Sequence, residues 1–414
     1  MEVSAIASSR KDSKGRVLRQ GESQRNNGYY IYQYKDVNGI RRVIYASGLV
    51  ELRKREKTVE RDKDDGIDTY AGENTTLNAA FDRYIAGKFN LKQSTRTNYK
   101  YMYDKYVRPT FGNRRLHQIK YSDVKAFYYS LVNERNFKLN SMEIIHTLIH
   151  PVFTMAVRDG IIRLNPASGV MAEIKRSDEW DKGTRHALTL EQQRAFMQYT
   201  ANSPIYNHWL PLFTVLLGTG GRIGEVLGLR WEDLDFENRT VSINHSLIYR
   251  LQDSGECENH ISTPKTKAGV RMIPMMESVY QAFQQEYRRQ EEEGFNTAIV
   301  DGYTGFAFTN RFGSVHIPMT INRAIKRIYE AYNEEEIQTA KKEKRQPVLI
   351  PHFSCHHLRH TFCTRFCENE SNLKVIQEIM GHSDITTTMN IYAEATENKK
   401  QVAIISLESK VEIM

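Results

Sequence analysis

The spacing of apolar residues changes character along the chain. In the first sixty-odd residues it is short and strand-like. RVLRQ (Arg16 to Gln20), GYYIYQYK (Gly28 to Lys35) and IRRVIYA (Ile40 to Ala46) read as three strands. Asn38-Gly39 between the last two predicts a two-residue type I′ hairpin, whose central positions both need φ > 0. The charged run LVELRKREKTVERDKDD then predicts a solvated helix, and GIDTYAGE (Gly66 to Glu73) a linker. From there the period is helical. Leu77, Ala80, Phe81, Tyr84 and Ile85 follow a Thr cap; Tyr99, Met102, Tyr103 and Tyr106 form a second stripe. Val124, Phe127, Tyr128 and Leu131 form a third, and Ile145, Leu148, Ile149, Val152 and Phe153 a fourth. The aromatic stripes are expected to face a core. EIKRSDEWDKGTRH (residues 173–186) lacks periodicity and predicts a second linker, after which Thr189 and Gln192 form a capping box. A mostly helical region then runs to about residue 400. A strand near Arg239 to His245, a hairpin around Lys265 to Pro274 and a short strand near Phe306 to Thr309 interrupt it. The expected fold is mainly α with small β elements (α+β): a three-stranded sheet module over 1–65, a four-helix domain over 74–172, and a mixed, mostly helical domain over 187–414.

Composition narrows what this architecture does. A length of 414 residues suits two to four domains, and 40% hydrophobic with 26% charged residues is ordinary for a globular protein. The strongest apolar run, Trp209 to Gly218, is about half of a bilayer span, and the N-terminus has no apolar signal-peptide core. Three of the four Cys lie between Cys355 and Cys367. That is no disulfide framework, and a reducing cytoplasm is expected. The net charge of +8 attracts polyanions, so nucleic acid is a candidate partner. The N-terminal ribbon would present Lys35, Arg41 and Arg42, with tyrosines interleaved, to a phosphate backbone; a purely structural module is the other reading.

No Walker loop, dinucleotide-binding GxGxxG, HExxH or GxSxG elbow is present. Four segments carry a density of Arg, His and Lys instead. In TGGRIGEVLGLRW, Arg222 opens a short helix, where a guanidinium beside helix-start amides suits an anion; a cap paired with Glu225 is the alternative. In HHLRHTFCTRF, His356 and Arg359 share a helix face. In IMGHSDITTTMNIY, His382 follows a helix-ending Gly381, and Tyr392 lies ten residues on. TPKTKAGVRMIP carries Lys265 and Lys267. Cys355, His356, His357, His360, Cys363 and Cys367 also contain i,i+4 pairs able to hold zinc, although no second ligand pair stands elsewhere.

Taken in order, these segments resemble the tyrosine recombinase (phage-type integrase) family from about residue 187 to 395. Its order is Arg, hairpin Lys, H-x-x-R, G-H and Tyr: here Arg222, Lys265, His356 with Arg359, Gly381 with His382, and Tyr392. The length and β-rich N-terminal module resemble the three-domain integrases of conjugative transposons and temperate phages. The resemblance implies that 1–65 binds arm sites and that 74–172 clamps the core site opposite the catalytic domain. Lys265 sits in the family's P-K-T context; Lys267, one pleat on, faces the same side.

The resemblance also implies a metal- and cofactor-independent mechanism. Tyr392 attacks the scissile phosphate, giving a 3′-phosphotyrosine and a free 5′-hydroxyl. Arg222 and Arg359 clamp the non-bridging oxygens, and Lys265 protonates the leaving oxygen. His356 acts as base or orienter of Tyr392, and His382 hydrogen-bonds a phosphate oxygen. The implied partners are double-stranded DNA, further copies of the chain up to a tetramer on paired sites, and a small accessory bending or excision protein. The tail, with Val402, Ile405, Leu407 and Val411, would by this resemblance dock on a neighbouring protomer; a strand or helix packed on its own domain is the other reading. A type IB topoisomerase-like enzyme and a catalytically silent DNA-binding protein are the alternatives.

Overall fold

The computed structural model describes residues 10–91, 93–135, 137, 139–176, 186–251, 256–264 and 267–395. Lys265, most of the second linker and the apolar tail lie outside them. The chain divides into two compact units, the first ending at Gly183 and the second beginning at Thr184.

The first unit opens with an antiparallel sheet of β1 (Glu22–Gln24), β2 (Tyr30–Lys35) and β3 (Arg41–Ala46), packed against α1 (Leu49–Asp64). Leu18, Tyr30, Tyr32, Ala46, Leu49 and Leu52 make its small core. The first strand lies further along the chain than expected. Of residues 16–20 only Val17 pairs there, in an isolated bridge with Lys11 across a turn at 13–15 held by the buried carboxylate of Asp12, which accepts from the N–H groups of Lys14 and Arg16, the Arg16 guanidinium and the Tyr30 hydroxyl. The hairpin also differs. The Asp36 N–H donates to Ile40 O and the Gly39 N–H to Asp36 O, which leaves a three-residue loop. Gly39 takes the left-handed conformation (φ 77°), and Asn38 does not share it. The Asp36 side chain selects this loop by accepting from the N–H groups of Asn38 and Ile40. Arg41 and Arg42 are one residue apart on β3, so they point to opposite faces. Arg41 is exposed, whereas Arg42 is paired with Asp36 at 2.9 Å and stacked on Tyr70 at 3.6 Å.

Where a linker was expected, Asp68 caps a short helix, α2 (Thr69–Asn74), by accepting from the Ala71 N–H. This segment is tied to the helical part of the unit. The Asp68 N–H donates to Gly160 O, and Arg163 pairs with Asp62 at 2.6 Å and with Asp65. Helices α3 (Leu77–Ala86), α4 (Gln93–Tyr106), α5 (Tyr121–Arg135) and α6 (Leu139–Arg158) follow the four stripes, and α7 (Val170–Ile174) closes the unit. The aromatic residues are core: Phe81 stacks on Tyr103, Phe111 on Phe127, and Tyr103 and Tyr128 are fully buried. Their hydroxyls are satisfied by Asn78 and His146 respectively.

In the second unit α8 (Leu190–Asn202) starts at the expected capping box, followed by α9 (Leu210–Thr219) and α10 (Ile223–Gly228). Strands β4 (Leu234–Asp235), β5 (Thr240–Ile243), β6 (Ser246–Leu251), β7 (Cys257–Ser262) and β8 (Arg271–Pro274) come next. Helices α11 (Glu277–Glu293), α12 (Pro318–Glu343), α13 (Cys355–Asn369), α14 (Leu373–Met380) and α15 (Ile385–Ala395) complete it. The hairpin expected at 265–274 is not formed: β6 pairs with β7, and β8 crosses back to β5. The apolar face sets this register. Val241 lies opposite Ile273, both buried, while Met272 points outward. The strand expected at 306–309 reduces to the bridges Arg230–Phe306 and Thr309–Val315. No helix among the described residues is long and apolar enough to cross a membrane.

The N-terminal module carries a titrating device in its core. Glu22 on β1 and Glu56 on α1 are both buried and hydrogen-bonded to each other. Burial first, then the hydrogen bond and charge of Glu22, push the Glu56 carboxyl up from 4.5 to about 7. An acid whose folded pKa is raised stabilises the fold fully below its unfolded pKa and loses that contribution as pH rises through the folded one. The sheet module should therefore exchange its amides more readily, relative to Glu56→Gln, as pH rises from about 4.5 to about 7. Hydrogen exchange over residues 10–64 of the full chain checks this; identical pH profiles for the two proteins would refute it.

Candidate active site

The site is assembled around the C-terminal turn of α14. Gly381 ends that helix in the left-handed conformation (φ 62°), which turns its last carbonyls outward. Three guanidiniums from three other elements meet them. Arg359, on α13, donates to Met380 O at 2.6 Å; Arg222, the N-cap residue of α10, to Gly381 O at 3.2 Å; Arg271, at the start of β8, to Ile379 O at 2.8 Å. The negative end of a helix dipole suits cations. A Cβ at Gly381 would stand 2.8 Å from Arg271 Nη1 and 3.1 Å from Ala268 O, so the glycine is needed for approach as well as for φ.

A second glycine serves Arg359. Gly220 ends α9 with φ 60°, its carbonyl accepts from Arg359 Nη1 at 2.7 Å, and a Cβ there would collide with the Phe362 ring. Arg359 is 4% exposed. Burial, then the neighbouring charge of Arg222, pulls its pKa below the ordinary guanidinium value, yet it stays charged at neutral pH. Arg222 is different: its side chain is 43% exposed and turned toward solvent. Its N–H donates to Glu225 Oε2 at 2.9 Å and its Nη1 to Glu225 Oε1 at 2.8 Å. The cap pairing left open at the sequence is therefore formed, and it leaves the guanidinium accessible.

Glu225 is buried between Arg222 and Arg271. Burial works against its ionisation, but the Arg271 hydrogen bond and charge, then Arg222, outweigh it and hold the carboxyl at about 2. His382 is buried too, and its Nδ1 is 2.9 Å from Thr388 Oγ1, on α15. Burial, then the charges of Arg359 and Arg222, hold the imidazole at about 4, so it is neutral at physiological pH. His356 is exposed on the first turn of α13 and is close enough to His382 to act on its charge. Tyr392 lies half-buried on α15, one turn beyond Thr388, against the cluster of Phe362, Cys363, Cys367, Ile376 and Met380.

The structure thus brings Arg222, Arg359 and His382 into one cluster, with His356 beside it and Tyr392 on the helix that His382 anchors. Lys265 lies outside the described residues, and Lys267 opens a single 3₁₀ turn, Lys267–Gly269. The three cysteines of this segment are packing residues: Cys355 belongs to the main core of the second unit and Cys363 and Cys367 to the cluster under Tyr392. Among the described residues no three His, Cys, Asp or Glu side chains gather as a ligand set. Sequence reasoning missed Arg271 and Thr388. A signal for the first exists: an arginine at an inward position of the V-R-M-I alternation.

Residues 186–399 match the phage integrase family, residues 6–64 the DNA-binding domain of the Tn916 integrase, and residues 76–132 the phage integrase N-terminal SAM-like domain. The chain belongs to the phage integrase family. It is a site-specific recombinase of the kind that integrates and excises mobile elements. The transposase of transposon Tn1545 from Streptococcus pneumoniae is 33% identical over 94% of this chain and 95% of its own length, and so is that of Tn916 from Enterococcus faecalis. A structure of the Tn1549 transposon integrase in complex with a circular intermediate DNA superposes with TM-score 0.69 at 29% identity, over 81% of this chain and all of that one. A lambda integrase dimer on a core site, at 17% identity and TM-score 0.51, shares the recombinase's fold.

The Thr388 contact has a measurable consequence. Replacing Thr388 by Val, close in shape, strands a buried imidazole nitrogen and should cost about 1–3 kcal/mol. Thr388→Ser should cost less. Denaturant unfolding of the full chain gives both values, and equal stability of wild type and Thr388→Val would show the contact to be inconsequential.

Proposed function

We propose that Tyr392 is the nucleophile of this recombinase and that the scissile phosphate sits at the exposed edge of the Arg222–Arg359 pair. The observation that carries this reading is the convergence of guanidiniums around one helix end, beside the helix that bears Tyr392. The Tyr392 oxygen attacks phosphorus and the bond to the 5′-oxygen breaks, leaving a 3′-phosphotyrosine. Lys265 supplies the proton that the leaving 5′-oxygen takes up, with Lys267 as the alternative donor. Arg222 and Arg359 hold the two non-bridging oxygens and stabilise the five-coordinate transition state, in place of a metal ion. His382, neutral, donates a hydrogen bond to a phosphate oxygen, and exposed His356 takes or orients the Tyr392 proton. Attack by a second strand's 5′-hydroxyl reverses the sequence and joins recombinant DNA. No nucleotide is consumed, because the phosphodiester energy is kept in the covalent intermediate.

Residues 10–64 are proposed to bind arm sites through the outward face of the sheet, which presents Lys35, Arg41 and Tyr45; Arg42 is engaged in the fold. The helical part of the first unit and the second unit bind the core site, and copies of the chain assemble as a tetramer on paired sites in the cytoplasm. A small accessory bending protein is proposed for excision.

Tyr392→Phe should abolish the denaturation-resistant protein–DNA adduct on a suicide core-site substrate while leaving core-site affinity unchanged. Arg222→Ala or Arg359→Ala should slow adduct formation by about 10²–10³-fold, on the order of 3–4 kcal/mol in the barrier. A covalent adduct from Tyr392→Phe would displace the nucleophile. The zinc alternative is tested separately: chelation should leave adduct formation at its original rate, and stoichiometric zinc with lost activity would overturn the role given to His356.

A further inference from the structure

Arg271 is a buried charge that the chemistry above leaves unused. Its Nε donates to Ile379 O at 2.8 Å, its Nη1 to Glu225 Oε1 at 3.3 Å and Gly269 O at 3.4 Å, and its Nη2 to Glu225 Oε2 at 2.8 Å. Four of the five N–H donors of a guanidinium are thereby committed inside the protein. With four donors committed against the two that Arg359 gives to Gly220 O and Met380 O, Arg271 is assigned no phosphate oxygen. Its carboxylate partner is in the same position: Glu225 accepts from Arg222 on both oxygens and from Arg271 on both oxygens.

The charges around this carboxylate decide what a phosphate meets. Arg222, Arg271 and Arg359 carry three positive charges and Glu225 one negative, which leaves two positive charges in the cluster. A phosphodiester carries one negative charge, and attack by a deprotonated phenol brings a second onto the five-coordinate state. Without Arg271 the same carboxylate would face Arg222 alone, and the excess would fall to one. The attraction is also stronger where it is buried, so Glu225 is balanced by the enclosed Arg271 more than by the solvated Arg222.

We propose that Arg271 is a positioning residue that sets the charge of the phosphate site, by holding Glu225 in a buried bidentate ion pair that keeps this carboxylate from cancelling Arg222. The proposal rests on the reading that Arg222 and Arg359 hold the phosphate. It accounts for a buried arginine on a strand whose other inward side chain, Ile273, is apolar. It also accounts for Gly381, since a side chain there would displace the Arg271 guanidinium. Through Gly269 O the same guanidinium ties the site to the turn that begins with Lys267.

The test is single-turnover cleavage of a suicide core-site substrate by the full chain, with wild type, Arg271→Gln, Arg271→Lys, Glu225→Gln and the double variant Arg271→Gln/Glu225→Gln. Arg271→Gln should slow cleavage by about 100-fold, the scale of losing one electrostatic donor, with core-site affinity held within about threefold. The double variant should recover about tenfold or more of that loss, because the unbalanced carboxylate is gone. Substituting a methylphosphonate at the scissile position removes one negative charge from the substrate, and should narrow the gap between wild type and Arg271→Gln. Arg271→Lys keeps the charge and provides the reading if the Gln variant does not fold: its deficit should be smaller and the same on both substrates. A double variant no faster than Arg271→Gln, together with an unchanged gap on methylphosphonate, would reduce Arg271 to packing and overturn the proposal. Wild-type cleavage by Arg222→Ala in the same assay would overturn the phosphate clamp itself, so the two failures are distinguishable.

Discussion

The second unit is organised by a problem of like charges. Three guanidiniums brought together repel one another, and burial raises the cost because the low-dielectric interior screens poorly. Two features offset this. The last carbonyls of α14 accept one hydrogen bond from each arginine, and Glu225 lies between two of them. Each arginine arrives from a different element, α10, β8 or α13, so these elements cannot shift independently without stranding a buried polar group. The depressed values of Arg359, Glu225 and His382 are three signs of the same crowding.

Local sequence choices make that convergence possible. The two left-handed glycines, Gly220 and Gly381, end helices where carbonyls must face arginines, and each lies where a Cβ would strike a neighbour. The site therefore depends on the absence of side chains as much as on their presence. Thr388 extends the arrangement to α15 by holding His382, which links the helix bearing Tyr392 to the arginine cluster.

Much of this was legible in the sequence, for a definite reason. Arg222, His356, Arg359, His382 and Tyr392 each sit in a segment whose own helix start, helix end or face fixes its place in the fold, while the order of the segments, through the family resemblance, is what singled them out. The α-helical stripes of the first unit were legible from short-range patterns alone. What was not legible depended on distant partners. Arg271 gains its meaning when β8 pairs with β5 instead of β7, a register that the 27 residues between Ile243 and its partner Arg271 do not announce. The segment 66–73 read as a linker because of its glycines. Yet a Cβ at Gly72 would stand 2.7 Å from Ile161 O, so that glycine reports close packing. At the first hairpin, Asn-Gly suggested a two-residue turn, but the Asp36 carboxylate recruits two N–H groups into a longer loop.

The immobility of Arg359 has a consequence for where disorder is lost. A free arginine side chain surrenders roughly 2 kcal/mol of rotational entropy when it is fixed. With both Nη atoms held by Gly220 O and Met380 O, Arg359 surrenders that freedom as the chain folds, before any DNA is present. Solvated Arg222 keeps part of it. The two arms of the proposed clamp therefore differ in kind: one is a fixed template whose precision is charged to folding, and the other keeps the freedom to adjust to a bound anion.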